Sequence, residues 1–224
     1  MLRQKQLILE THLRLINKLQ MPNQLFINKK IGIFNKKIII SGDKSLSIRW
    51  ILLASQALGK SKGYNLLMSE DVLAALDAVK KLGIKVLVRN GHCEIFGNGI
   101  NGFKYKDDLV IDAKNSGTLG RLILGLLVKS EKKIKIIGDK SLSKRDFSRV
   151  TIPLKKFGAQ FYYKKKNKLP LSILGSQSPK GINYIENRGS AQCKTSVMLA
   201  ALNSSGTTFI KAKKSRNHSE LLFK

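Results

Sequence analysis

Five short stretches place Ser, Thr, Asn or Gly beside a Lys or Arg where an extended run hands over to a helical pattern. They are residues 41–49 (SGDKSLSIR), 114–121 (KNSGTLGR), 138–145 (GDKSLSKR), 189–194 (GSAQCK) and 213–220 (KKSRNHSE). A helix start leaves backbone N–H groups unpaired and carries about half a positive charge, so it attracts anions. Ser, Thr and Asn are also ordinary N-caps, so each loop alone is open to a capping role, an anion-binding role, or both. Five such loops with matching cations point to an anion-binding face. Lys44 is a point charge suited to phosphate, whereas Arg49, Arg121, Arg145 and Arg216 can fork onto carboxylate or phosphate. Gly117 sits where a ligand could approach the backbone closely, or in a plain turn. Ser190, Ala191 and Gln192 offer a hydroxyl and an amide to a sugar-like ligand, or merely begin a helix. Cys193, next to Lys194, is open to two readings, an activated thiol and a packed helix cysteine; the second is simpler. Neither a GxGxxG nor a GxxxxGK[ST] pattern is present, so nucleotide binding of those kinds lacks its usual support.

The elements that must position these loops repeat along the chain. Residues 38–49 (IIISGDKSLSIR) and 134–145 (IKIIGDKSLSKR) share six consecutive residues, a preceding β-branched run read as a buried strand, and an arginine at the same offset. A second echo joins 76–88 (LDAVKKLGIKVLV) to 153–163 (PLKKFGAQFYY): a helix ending in Lys-Lys, a Gly at C′, then a strand. Unit one is read as helix 46–58, strand 63–67, helix 70–82 and strands 84–89 and 93–97. Unit two starts near Leu109, with helix 117–129, strand 133–137, helix 145–157 and strands 159–164 and 170–174. Unit three has strand 182–186, helix 190–203, strand 207–211 and a helix opening near His218, and lacks its closing strand pair. The expected fold class is α/β, with repeated βαβαββ units of which the third is truncated.

The 224 residues carry a formal charge of +28 and 42% apolar residues. That composition suits a globular chain, and no apolar run is long enough to span a membrane. The basic balance favours anionic partners. Its lysines are spread along the whole chain together with many Ile and Asn, which looks like coding bias rather than a binding stripe, so nucleic acid is not the expected partner. Cys93 and Cys193 are far apart, in no metal-ligand spacing and not clustered with His12, His92 or His218. Two inert thiols in a reducing cytoplasm are the simpler reading, and no metal is expected. Residues 1–24 read as a basic extension without fixed structure, with Met21 as an alternative start; residues 25–224 read as the folded part.

The motifs SGDKSLSIR, NSGTLGR, GDKSLSKR, SAQCKTSVMLAALNSSGTT and SRNHSE occur in the order and spacing of 5-enolpyruvylshikimate-3-phosphate synthases. The resemblance runs from about residue 30 to 224, and the last two motifs look most like the class II branch. It implies one lobe of a two-lobed enolpyruvyl transferase fold (an inside-out α/β barrel), incomplete at its C-terminus. It also implies that residues 25–40 pack with the second lobe, that the missing carboxy-terminal lobe is supplied in cis or in trans, and that no cofactor is used. The implied ligands are shikimate 3-phosphate and phosphoenolpyruvate. By resemblance, Lys44, Ser45 and Arg49 hold shikimate 3-phosphate, with Lys44 also touching phosphoenolpyruvate. Ser190, Ala191 and Gln192 contact the shikimate moiety, Gln192 being shared between ligands, and Arg216 meets its phosphate. Gly117 and Arg145 contact phosphoenolpyruvate. The proton-transfer carboxylates belong to the other lobe, so no catalytic residue is expected here and this chain alone is expected to be inactive.

Two positions qualify the resemblance. Relatives usually carry Pro after the arginine matching Arg145, and this chain has Asp146, which either weakens the anion clamp or caps the helix. Gly117 stands where glyphosate-tolerant class II relatives can carry Ala, so glyphosate sensitivity is the expectation for an intact parent. The alternatives are a lobe of the related transferase acting on UDP-N-acetylglucosamine, whose opening loop normally pairs Lys with Asn, a basic nucleic-acid-binding domain, or a non-catalytic half-lobe.

Overall fold

The computed structural model describes residues 32–33, 35, 37–89 and 92–224, so the expected extension at 1–24 lies outside the described residues. The chain divides into Met1–Ile39 and Ile40–Lys224. The described residues of the first part carry no regular element. The expected buried strand at 38–40 does not form: Ile38, Ile39 and Ile40 are 65%, 90% and 75% exposed. β-branched residues favour extended backbone, but a strand also needs a partner ladder, and none pairs with this run among the described residues.

The second part holds α1 (Lys44–Gln56), β1 (Leu58–Tyr64), α2 (Glu70–Lys81), β2 (Lys85–Arg89), β3 (His92–Asn98), β4 (Val110–Asp112) and α3 (Gly117–Leu126). After these come β5 (Ile134–Ile137), a 3₁₀ turn at Leu142–Lys144, α4 (Ser148–Lys156), β6 (Gln160–Tyr163) and β7 (Leu171–Leu174). The chain continues through β8 (Asn183–Glu186), α5 (Ala191–Leu202), β9 (Phe209–Ala212) and α6 (His218–Leu222). Unit two is a whole βαβαββ repeat: β4 and β5 are parallel, β7 and β6 follow antiparallel, and the order is β4-β5-β7-β6. Unit one contributes the antiparallel sheet β1-β3-β2, and unit three the parallel pair β8-β9. The α/β class and its repeat are as expected.

Most element positions reflect local chemistry. α2 begins with Glu70 and Asp71 and ends with Lys80 and Lys81, complementing the helix dipole at both ends. β1 begins well before the expected 63, although LGKSKGY has poor strand propensity. Seven consecutive residue pairs with β3 override it.

The two copies of GDKSLS start alike and then part. Asp43 accepts from Leu46 N (2.7 Å) and Asp139 from Leu142 N (2.6 Å). The first copy runs on as α1, whose buried face includes Ile48, Ile51 and Leu52. The second ends after one 3₁₀ turn, and α4 restarts at Ser148 rather than at the expected 145. Lys144, Arg145 and Asp146 offer no apolar face there, and the Asp146 carboxylate takes the Ser148 backbone N–H at 2.6 Å.

α3 is the hub. Nine of its ten residues are buried, and it packs against α1, α2, α4 and α5. Its approach to α5 is close because Gly125 has no side chain. A Cβ there would sit 2.0 Å from Ser196 O. The Ser196 hydroxyl also donates to Arg121 O at 3.0 Å, tying the two helices together.

Candidate functional site

Three helix starts meet at one place. Asp43, Ser116 and Ser190 cap α1, α3 and α5, each accepting a backbone N–H from the first turn. The remaining first-turn N–H groups supply the positive potential expected at helix N-termini. Two depressions lie there, of about 240 and 610 Å³. Ser45, Arg49, Ser190, Ala191, Gln192 and Arg216 line the smaller. Lys44, Ser45, Gly117, Arg145, Gln192 and Arg216 line the larger. All nine residues singled out from sequence are therefore together, and Ser45, Gln192 and Arg216 belong to both depressions. A cavity of about 580 Å³ elsewhere, walled by residues such as Phe103, Leu126 and Asn203, contains none of them.

Arg49 forms the floor of the smaller depression. It is only 3% exposed. Its Nε donates to Ser219 Oγ (3.0 Å), Nη1 to Ser45 O (3.0 Å) and Nη2 to Thr195 Oγ1 (3.1 Å). All three acceptors are neutral, and among the described residues no carboxylate lies within ion-pair distance. Burial, then the charge of Arg216, pushes its pKa below the usual arginine value, while Asp43 and Glu220 oppose this. The group stays charged, because an arginine is protonated at any ordinary pH. The result is a desolvated cation with a second guanidinium nearby and no counter-charge in contact. An anion is the group that would complement it.

The larger depression is differently balanced. Lys44 Nζ pairs with Asp71 Oδ2 at 2.8 Å, so its charge is held by a carboxylate from the first turn of α2. Arg145 is exposed and donates to Asn115 Oδ1 at 3.2 Å. Asp146 does not pair with it: that exposed carboxylate turns to the Ser148 hydroxyl and N–H, which hold it below the ordinary aspartate value. Asp146 thus closes a side-chain turn onto Ser148 just ahead of α4, whose N-cap is Phe147. Gly117 lies between two guanidinium groups, and a Cβ there would meet Arg121 Nη1 and Arg145 Nη1 at 2.8 Å each.

The nine residues that the resemblance implies do not include Asp71 or Arg121, although Arg121 stands among the candidate cations. Asp71 lies 27 positions from its lysine partner, and nothing in the spacing signals the pair. Arg121 had a visible signal, since it stands one helical turn after Gly117 in a loop already singled out. Arg216 sits on a loop braced from below. Buried Lys194 pairs with Glu220 and donates to Arg216 O at 3.4 Å. Cys93 and Cys193 are both free and buried. Among the described residues no cluster of three His, Cys, Asp or Glu is placed to hold a metal, and no helix is long and apolar enough to cross a membrane. What the arrangement offers is a row of cations, hydroxyls and peptide N–H groups suited to a ligand with more than one negative group.

The family model for EPSP synthase (3-phosphoshikimate 1-carboxyvinyltransferase) matches residues 29–224. The 3-phosphoshikimate 1-carboxyvinyltransferase of Caldicellulosiruptor bescii is 38% identical over 192 residues, covering 85% of this chain and 44% of that protein. The enzyme of the same name from Streptococcus mutans is 40% identical over 187 residues, covering 83% of this chain and 44% of its own length. Among solved structures, an EPSP synthase from Acinetobacter baumannii superposes with a TM-score of 0.77 at 36% identity, over 83% of this chain and 42% of that one. The chain thus spans less than half the length of the relatives it matches.

Proposed function

Since the chain belongs to the EPSP synthase family, we propose that it forms the shikimate 3-phosphate side of an enolpyruvyl transferase cleft. The whole enzyme moves the enolpyruvyl group of phosphoenolpyruvate onto the 5-hydroxyl of shikimate 3-phosphate. A bond forms between that hydroxyl oxygen and C2 of the enolpyruvyl group, the bond from C2 to the phosphate oxygen breaks, and phosphate leaves. Two polyanions must be held side by side against mutual repulsion while charge shifts between them, a task for fixed cations and helix N-termini. In this reading Arg49, Arg216, Ser190, Ala191 and Ser45 hold shikimate 3-phosphate. Lys44 and Gln192 reach both ligands, and Gly117 and Arg145 face phosphoenolpyruvate. The observation that carries the reading is the convergence of all nine residues on two adjoining depressions.

The proton-transfer groups come from a carboxy-terminal lobe supplied in cis or in trans, and residues 1–224 alone do not turn over. Residues 25–224 form an amino-terminal lobe that is incomplete at its C-terminus, and the enzyme works in the cytoplasm, a location in keeping with two unpaired cysteines. The crowding of Gly117 by two guanidinium groups supports glyphosate sensitivity of the intact parent, because no methyl group competes with the phosphonate.

Calorimetric titration of the chain tests the substrate assignment. Saturable heat with shikimate 3-phosphate, lost in Arg49→Met and absent with UDP-N-acetylglucosamine, is the expected result. Binding of UDP-N-acetylglucosamine in preference would transfer the chain to the related transferase. The nucleic-acid alternative has no comparable support, since the cations that converge belong to a concave site rather than a stripe.

A further inference from the structure

Gln192 is the one side chain whose amide borders both depressions, and its orientation is set by neighbours on α3. Arg121 Nη1 donates to Gln192 Oε1 at 3.0 Å, while Gln192 Nε2 donates to Thr118 Oγ1 at 3.0 Å. A guanidinium has only donors, so the amide nitrogen cannot face it. The arginine is itself fixed. Nη1 also donates to Gly117 O at 3.2 Å, and the guanidinium carbon lies 5.3 Å from the centre of the Phe147 ring. Burial, chiefly, lowers its pKa, with Arg145 and Arg149 adding to the effect, and no carboxylate pairs with it among the described residues.

We propose that Arg121 is a positioning residue that locks the Gln192 amide with its NH₂ group toward the ligands. The cleft then presents an N–H donor, not a carbonyl oxygen, at the place shared by both anions. Free rotation would put the carbonyl there about half the time, and a lone-pair acceptor repels an anionic oxygen. With Thr118 taking one amide hydrogen, the second is free for the ligand. This inference rests on the proposed anion-binding cleft but needs no catalysis for its test.

The ¹⁵N–¹H spectrum of the ligand-free chain contains the Gln192 side-chain pair, identified by its loss in Gln192→Glu. The expected result is a resolved pair, away from the solvent-exposed glutamines, that joins them in Arg121→Met. Shikimate 3-phosphate affinity falls about tenfold in the same variant with an unchanged melting temperature. Arg121→Lys, which retains a donor, keeps the pair resolved and loses less than about threefold in affinity. An unmoved pair in Arg121→Met overturns the proposal, as does a moved pair with undiminished affinity. If Arg121→Met does not fold, Arg121→Gln is read in the same way. If no variant and no wild-type chain binds shikimate 3-phosphate while the pair shifts as described, the positioning role stands and the substrate assignment falls.

Discussion

Two glycines five residues apart in α3 should respond to alanine in opposite directions. At Gly125 a Cβ would lie 2.0 Å from Ser196 O and 2.8 Å from Ser196 C, both rigid backbone atoms of α5. Relief requires the helices to separate by about 1 Å or more, because carbon–heavy-atom contacts are repulsive well above 3 Å. Overpacking of this kind costs up to about 3 kcal/mol. Alanine recovers about 1 kcal/mol of helix propensity, leaving a net loss of about 2 kcal/mol. At Gly120 the nearest atoms are Phe147 Cζ at 3.4 Å and Ala113 Cβ at 3.5 Å, ordinary contact, so only the propensity gain remains. For a chain of this size about 1 kcal/mol moves the melting temperature by roughly 2–4 °C. Gly125→Ala should therefore melt roughly 4–8 °C below the wild type and Gly120→Ala at or up to roughly 4 °C above it. Thermal unfolding followed by circular dichroism, with urea midpoints as a second measure, reads both. A Gly125→Ala protein as stable as the wild type would mean that α3 and α5 are not locked at this distance, and the reasoning about their shared site would go with it.

Three further perturbations have defined outcomes. Both polar atoms of buried Gln56 lack partners among the described residues, so Gln56→Leu should raise the urea midpoint, with a gain of about 1–2 kcal/mol. Asp146→Ala should cost about 1 kcal/mol through loss of the Ser148 bond, yet leave shikimate 3-phosphate affinity within about twofold, because that carboxylate does not touch Arg145. For Glu220, burial opposes ionisation, but the hydrogen bond and charge of Lys194, with Arg49, outweigh it and hold the carboxyl below the ordinary glutamate value of 4.5. Its contribution to stability is thus present above pH 4.5 and lost as the pH falls through the depressed folded value; unfolding at graded pH should show a shallower acid loss in Glu220→Gln.

How far the chain could be read from its residues depended on whether a feature was local. The helix read at 70–82, and formed over Glu70–Lys81, announced itself through a Lys-Lys end followed closely by Gly83, a signal contained in a few positions. The nine site residues were legible because the short strand-to-helix motifs that carry the family resemblance contain them. The repeat was a partial guide. Asp43 and Asp139 make the same first bond, yet Arg49 ends up buried within a helix and Arg145 exposed after a 3₁₀ turn. The residues downstream of the motif decide the outcome: the buried apolar positions begin at Ile48 in the first copy, whereas Lys144 takes the matching place in the second and they begin only at Phe147. Ile38–Ile40 failed because burial is a property of the partner and not of the run. The Lys44–Asp71 pair and the Arg121–Gln192–Thr118 chain were beyond reach, since each joins elements whose adjacency only the tertiary fold creates.

The meeting of three helix starts has a consequence for how such a cleft tolerates compositional drift. Part of the attraction proposed for phosphate would come from peptide groups that every residue except proline possesses, aimed by caps at Asp43, Ser116 and Ser190. Lysine can accumulate over the outer surface, as it has here, without adding to or blurring that inward-pointing field beyond a Debye length of about 8 Å. A handful of short polar caps therefore guards the site's electrostatic character more closely than the lysine count does, and the loss of one cap hydroxyl would be felt more than the gain of several surface cations.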